Sequence, residues 1–156
     1  MKTVRIVSIV VLFFLALPIA FAADNPNIGT WKLNEAKSKI PAGAGKNTTV
    51  VYTAAADGMF TVTTDGVDSS GKPTHSEWTG KFDGKPYPVT GTTGVDSRSV
   101  VAKGDRTLEV TNMKDSKIVS TGKVELAKDG KSRTLETEGT SADGKKYKAK
   151  YVYDKQ

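Results

Sequence analysis

From Thr48 to the C-terminus, apolar and polar residues alternate at every second position between short turn signals, and this pattern constrains the fold more than any other feature. VVYTAAA ends at Asp57-Gly58, MFTVTT ends near Asp65-Gly66, and THSEWTGKF runs from about Thr74 to Phe82. Asp83-Gly84-Lys85-Pro86 is expected to turn the chain into YPVTG. SRSVVAK, RTLEVTNM and KIVSTGKVEL follow, separated by Gly104-Asp105 and Lys114-Asp115. SRTLETEG and KYKAKYVYDK, each entered through a DGK turn, complete the run. Asp-Gly suits tight hairpins because glycine, and to a lesser degree aspartate, reaches positive φ at low steric cost. Adding IGTWKL in front predicts about ten strands joined in sequence. The spacing of Asp83, Asp129 and Asp143 is irregular and their flanks do not align, so the turn chemistry recurs without an internal repeat.

Reading at period two separates two faces. One holds Trp31, Leu33, Val50, Tyr52, Phe60, Val62, Trp78, Phe82, Leu108, Val110, Ile118, Val124, Leu135, Tyr147, Tyr151 and Tyr153. The other holds Lys32, His75, Glu77, Lys81, Glu109, Lys123, Glu125, Glu136, Glu138, Lys146, Lys148 and Lys150. A single sheet with one wet face must pack on another sheet or close on itself, and only closure removes the edges. The expected fold is all-β: one antiparallel up-and-down barrel, closed between the strand of Trp31 and the strand ending at Tyr153. One segment favours helix. Asn34 can cap NEAKSK, with Glu35 in the first turn and Lys37 and Lys39 towards the last, before Pro41 and the glycines of PAGAGKN end it.

The N-terminus has a different character. Lys2 and Arg5 precede an apolar run from Ile6 to Leu17, Pro18 breaks it, and Ala20-Phe21-Ala22 is a small-residue cleavage site. This is the pattern of a secretory signal peptide, residues 1–22, and the run is too short for the ~20 residues of a bilayer span. Residues 23–156 then form one domain of a size that folds alone, in the periplasm or outside the cell. The chain has no cysteine, which excludes disulfides, thiol catalysis and a lipid-modified N-terminus. The full chain is formally +6, of which Lys2 and Arg5 leave with the leader. The remaining lysines are scattered, as on a solvated surface and unlike a nucleic-acid track.

GTWKL at Gly29 to Leu33, a short helix, the meander, and VYDK at Val152 to Lys155 together resemble the lipocalin and fatty-acid-binding protein superfamily, the calycins. The body, including KFDGKPYPVTG, is also similar to uncharacterised exported bacterial proteins. The resemblance gives Gly29 and Trp31 a structural role: Gly29 permits close approach, and Trp31 plugs the closed end of the barrel. In lipocalins a basic side chain of the last strand often covers that tryptophan. Lys148 and Lys150 are the nearest basic residues, and they lie on the opposite parity from Tyr147 and Tyr151. In fatty-acid carriers an Arg-x-Tyr pair on the last strand holds the ligand carboxylate. Here Tyr153 stands at the tyrosine position and Tyr151 at the arginine position, so that anchor is missing. Arg98, sharing parity with Val100 and Ala102, is the candidate substitute.

Ala54, Gly80, Gly122, Gly139 and Ala149 fall on the inner parity and are expected to leave room beside the aromatics. Tyr52, Trp78, Phe82, Tyr147 and Tyr151 are therefore the expected ligand-binding residues, offering apolar walls and hydroxyls to a small neutral apolar or aromatic molecule. The alternative is a barrel filled by its own side chains that works through its surface, as an envelope-associated or interaction protein. No catalytic residues are assigned. The single histidine, His75, and Glu77 share the charged face and are too few for a defined metal site. No nucleophile elbow, calcium-binding loop or phosphate-cradling glycine loop is present. Neither a cofactor nor a metal is expected, nor a nucleic-acid partner, nor a membrane span after residue 22.

Overall fold

In the computed structural model, residues 25–92, 94–141 and 144–156 are described; the expected leader, residues 1–22, lies outside them. The alternation is realised in ten strands: β1 (Gly29–Leu33), β2 (Lys46–Ala54), β3 (Phe60–Val67), β4 (Pro73–Gly80), β5 (Asp83–Gly91), β6 (Ser97–Ala102), β7 (Thr107–Lys114), β8 (Lys117–Leu126), β9 (Ser132–Thr140) and β10 (Lys146–Lys155). Each pairs antiparallel with its sequence neighbours, and β1 pairs with β10, so the sheet closes into a barrel. Closure falls at Trp31↔Lys155 and Leu33↔Tyr153, between the two strands expected to meet. The odd strands all begin at one end of the barrel, called here the Trp31 end, and the even strands all begin at the other. No helix among the described residues is long and apolar enough to cross a membrane.

Four expectations need correction, each for a local reason. The helix after β1 is a single 3-10 turn, Glu35–Lys37, with the Asn34 side chain accepting from the Lys37 N–H. β10 is twice as long as β1, and its unpaired edge captures the chain before a second turn can form. Lys39 and Lys150 exchange both backbone hydrogen bonds, at 2.7 and 2.9 Å, and the Val152 N–H donates to Ser38 Oγ. Asp83 to Pro86 is not a hairpin but the irregular start of β5, where the register shifts between Asp83 and Pro86. Gly66 does not end β3; it lies within it, opposite the Asn47/Thr49 irregularity of β2. A Cβ at Gly66 would stand 2.2 Å from the Lys46 carbonyl oxygen, so the close approach of the two strands requires glycine.

The fourth correction concerns Ile118. Asn112 pairs with Ser120, but Met113 pairs with Ile118, which leaves Val119 as an extra residue. A bulge reverses side-chain parity beyond it. Ile118 therefore follows Met113 outward and is 65 % exposed. Elsewhere the inner parity holds: Trp31, Val50, Tyr52, Val62, Trp78, Leu108, Val124 and Tyr153 are buried in one core. Phe82, Val110, Leu135 and Tyr151 pack against that core partly buried.

Candidate functional site

Arg133 is the second residue of β9, entering from the Trp31 end, and it shares parity with Leu135. Its residue is 4 % exposed, so the guanidinium is enclosed by the barrel. Three rings surround it: the guanidinium carbon lies 4.6 Å from the Trp31 ring centroid, 4.7 Å from that of Tyr52 and 5.3 Å from that of Tyr153. Cation–π attraction of this kind offsets part of the lost hydration. It does not satisfy the N–H groups, and Arg133 Nη1 is buried with no hydrogen-bond partner.

Arg98 is the second residue of β6 and enters from the opposite end. Its Nε donates to Asn112 Oδ1 at 2.7 Å, and Asn112 Nδ2 donates in turn to Ser120 Oγ at 3.0 Å. The Arg98 backbone carbonyl accepts from Trp78 Nε1 at 3.0 Å, which fixes the strand against the indole. Burial pushes the Arg98 guanidinium below its ordinary pKa, opposed in part by Tyr52. Burial also raises the Tyr153 phenol, and here the Arg133 charge works in the opposite direction. The Tyr153 hydroxyl donates to the Asn47 carbonyl at 3.2 Å.

Both arginines line one internal cavity of about 100 Å³. The other lining residues are Asn47, Val50, Tyr52, Val62, Thr64, Val110, Asn112, Gly122, Val124, Leu135, Thr137 and Tyr153, none of them a carboxylate. Asn47 reaches this wall because the irregularity beside Thr48 shifts its parity relative to Val50 and Tyr52. A larger depression of about 730 Å³ lies on the outer face of β7–β10. Four of its charges pair with one another, Lys148 with Glu138 at 2.8 Å and Lys150 with Glu136 at 3.4 Å, and it opens to solvent. Among the described residues, the buried side-chain atom that lacks a partner, Arg133 Nη1, is inside.

The five residues expected to bind a ligand do not converge. Tyr52 lines the cavity. Trp78 and Phe82 belong to a separate stack with Phe60, in which Phe60 and Phe82 lie 4.3 Å apart and nearly parallel, while Tyr87 meets Trp78 edge-on at 6.0 Å. The Tyr151 hydroxyl donates to the Gly45 carbonyl at 3.3 Å, outside the cavity. Tyr147, half-buried near the start of β10, lines a separate depression with Ile118 and not the cavity. The inner glycines do not widen the cavity either. A Cβ at Gly80 would meet the rings of Trp78 and Tyr87 at 2.5 and 2.7 Å, and one at Gly122 would meet Leu135 Cδ1 at 2.9 Å. Neighbouring side chains already occupy the space these glycines leave.

Trp31 is fully buried, and its Nε1 donates to the Asn27 carbonyl at 2.8 Å. Basic groups do cover it, although neither Lys148 nor Lys150 is among them. They are Arg133 and Lys155, whose Nζ stands 5.2 Å from the ring centroid. Gly29, at φ +128°, faces the Lys155 side chain, which a Cβ would meet at 2.8 Å. The Gly-x-Trp start thus admits the lysine that covers its own tryptophan. His75 pairs with Asp65 at 2.7 Å on the exposed face and not with Glu77.

No family model matches the chain, and no curated protein matches it. Solved structures do. A variant of the fluorescent protein UnaG is 20 % identical, with a TM-score of 0.53 over 82 % of this chain and 94 % of that one. A redesigned β-barrel, mFAP1, solved bound to DFHBI, is 16 % identical, with a TM-score of 0.45 over 83 % of this chain and 95 % of that one. The UnaG likeness bears on the fold alone, a closed antiparallel barrel; the mFAP1 likeness adds no argument.

Proposed function

We propose that this calycin-like barrel is a binding protein whose ligand places an acidic group in the internal cavity, between Arg98 and Arg133. The observation that carries the reading is the orphaned, enclosed guanidinium of Arg133 in a cavity that holds a second arginine and no carboxylate. Burying an ion without a counter-charge costs several kcal/mol, and an anionic ligand offsets that cost. The arginines sit on β6 and β9 rather than on the last strand itself, with Arg133 the register partner of Tyr153. An acidic ligand takes the place of the neutral aromatic one that the tyrosines suggested. The role is binding and not catalysis: among the described residues that line the cavity no histidine or carboxylate stands ready to activate its hydroxyls as a general base. Export through the leader belongs to the same proposal; a mature N-terminus at Ala23, read by mass spectrometry of the exported protein, supports it.

The test is a panel of acids, each paired with its methyl ester, titrated against tryptophan fluorescence, because Trp31 stacks on Arg133. The acid of at least one pair binds tenfold or more tightly than its ester, and Arg98→Gln removes the preference. Equal binding of acid and ester returns the neutral-ligand reading. A second reading, a filled barrel acting through its surface, draws on the cavity size, since sites for drug-sized molecules usually exceed ~300 Å³. Absence of binding by every acid and ester favours it.

A further inference from the structure

Resting on the acidic-ligand reading, we infer that the cavity encloses a compact oxyanion whole, a free phosphate, sulfate or short carboxylate, and is not the head-group pocket of a long-chain acid.

Volume is the first argument. The cavity measures about 100 Å³. That suits an anion of about four or five heavy atoms, and it falls well short of the ~300 Å³ or more that larger ligands fill. The surrounding packing limits the room for a tail. Leu135 stands against Gly122, the rings of Trp78 and Tyr87 crowd Gly80, and Arg133 sits against Trp31 at the closed end.

Charge is the second. Water can satisfy a lone N–H, but it neutralises nothing, and here two guanidiniums face one low-dielectric space with no acidic side chain on its wall. Like charges in such a space repel, and an anion between them converts repulsion into two attractions. Donor geometry is the third. A guanidinium presents a planar fork that matches the oxygens of carboxylate and phosphate, and one arm of Arg133 is unpartnered. Arg98 Nε is held by Asn112, which pre-orients its remaining N–H groups. The Thr64 hydroxyl and the Asn112 amide add polar wall without adding charge.

The experiment uses the mature protein at constant ionic strength, with phosphate, sulfate, acetate, chloride and a twelve-carbon fatty acid titrated separately. Calorimetry gives stoichiometry, and thermal unfolding reports binding to the folded state. At least one of the three oxyanions binds 1:1 and raises Tm saturably, at least tenfold more tightly than chloride. Its affinity falls tenfold or more in Arg98→Gln and is unchanged in Lys150→Gln, a control on the outer face. In the wild-type protein the side-chain ¹⁵N resonances of Arg98 and Arg133 both shift with the same titration, a readout that needs no variant to fold. If the fatty acid binds through Arg98 while no small oxyanion exceeds chloride, the enclosed-anion inference is overturned and the acidic-ligand reading stands. If neither the oxyanions nor the fatty acid and the rest of the acid panel bind, both fall. Oxyanion binding that Arg98→Gln leaves intact, or that moves neither arginine resonance, also overturns the inference, because the anion then sits elsewhere.

Discussion

A buried guanidinium surrounded by rings and lacking a carboxylate is a poor device for stability, which makes Arg133 informative at the level of one residue. Replacing a buried charge by an apolar side chain of similar length is often neutral or stabilising, by about 1–4 kcal/mol. Arg133→Met is therefore expected to match or exceed the wild-type protein in urea unfolding without added anion, and to lose the oxyanion-dependent rise in Tm. A large destabilisation in anion-free buffer would mean that the three rings alone justify the charge. Trp31 gives the opposite expectation. It is fully buried, with its indole N–H satisfied, so Trp31→Ala should lower stability by about 3–5 kcal/mol in the same assay. Trp31 was legible in the sequence from its place in GTWKL and its parity. Arg133 was equally available, two residues before Leu135 on the same face, but an inner face recognised by its apolar letters hides a charge that belongs to it. Tyr151, at the position where the resemblance puts an arginine, bonds to the Gly45 carbonyl; that a buried charge stands beside Tyr153 from β9 depends on which strands neighbour one another around a closed barrel.

Among the elements, the β7–β8 hairpin shows what sequence pattern conveys and what it omits. Lys114-Asp115 marks the turn, yet Asp115 and Ser116 both adopt left-handed backbone, at φ 49° and 61°. Two successive residues of this kind make the two-residue loop that matches strand twist, and its second position favours glycine. The left-handed penalty of roughly 1–2 kcal/mol exceeds the added unfolded-state entropy of glycine, about 0.4–1 kcal/mol, so Ser116→Gly should raise stability by about 0.5–1 kcal/mol. Chemical denaturation checks it, and a loss would show that Ser116 serves some other contact. The hairpin is also tied to the β5–β6 loop by Asp96, whose Oδ2 accepts from the Asp115 N–H at 2.7 Å. That N–H is the main reason the Asp96 carboxyl lies below the ordinary aspartate pKa, with Ser97 and Lys114 assisting against desolvation. A carboxyl depressed in the folded state stabilises fully above its unfolded pKa, and the contribution is lost as pH falls through the folded value. Exchange at the Asp115 amide, corrected for its intrinsic rate, should therefore accelerate on acidification through and below the usual aspartate range. Asp96→Asn should flatten that dependence, and an unchanged profile would remove Asp96 from the clasp. Alternation located the strands well, but the irregularities at Thr48, Asp83 and Val119 were not legible, because a bulge is set by how two strands meet rather than by either one's own sequence.

For the molecule as a whole, closure rests on the short β1 bonding β10 on one side and β2 on the other. A meander with one apolar face made a barrel legible, and the GTWKL and VYDK ends indicated where it would close. The size of the interior was not legible, since small residues on an inner face say nothing about which neighbours fill the space above them. Closure has a consequence that can be tested without touching the cavity. Both ends of the described chain lie at the Trp31 end: the Gln156 N–H donates to the Thr30 carbonyl at 3.0 Å, and Lys155 Nζ reaches the Pro26 carbonyl at 3.3 Å. A few glycine and serine residues can then join Gln156 to Asn25, with new ends cut between Lys128 and Asp129 in the exposed loop before β9. Termini that lie close together and exposed loops tolerate such rearrangement. Because β1 and β10 are already neighbours, the permuted chain makes every ladder of the original, with β1–β10 now a hairpin and β8–β9 the most distant pairing. The permutant should show the same β-rich circular dichroism spectrum, one cooperative transition and the same oxyanion-dependent rise in Tm, while refolding no faster, because the seven-pair β8–β9 ladder, longer than the three-pair β1–β10 ladder, is now the long-range closure. A soluble permutant that keeps the β spectrum but loses cooperativity would mean that the sheet does not close at this seam. One that folds cooperatively but no longer responds to the anion would mean that the β8–β9 loop, close to Arg133, governs entry to the cavity.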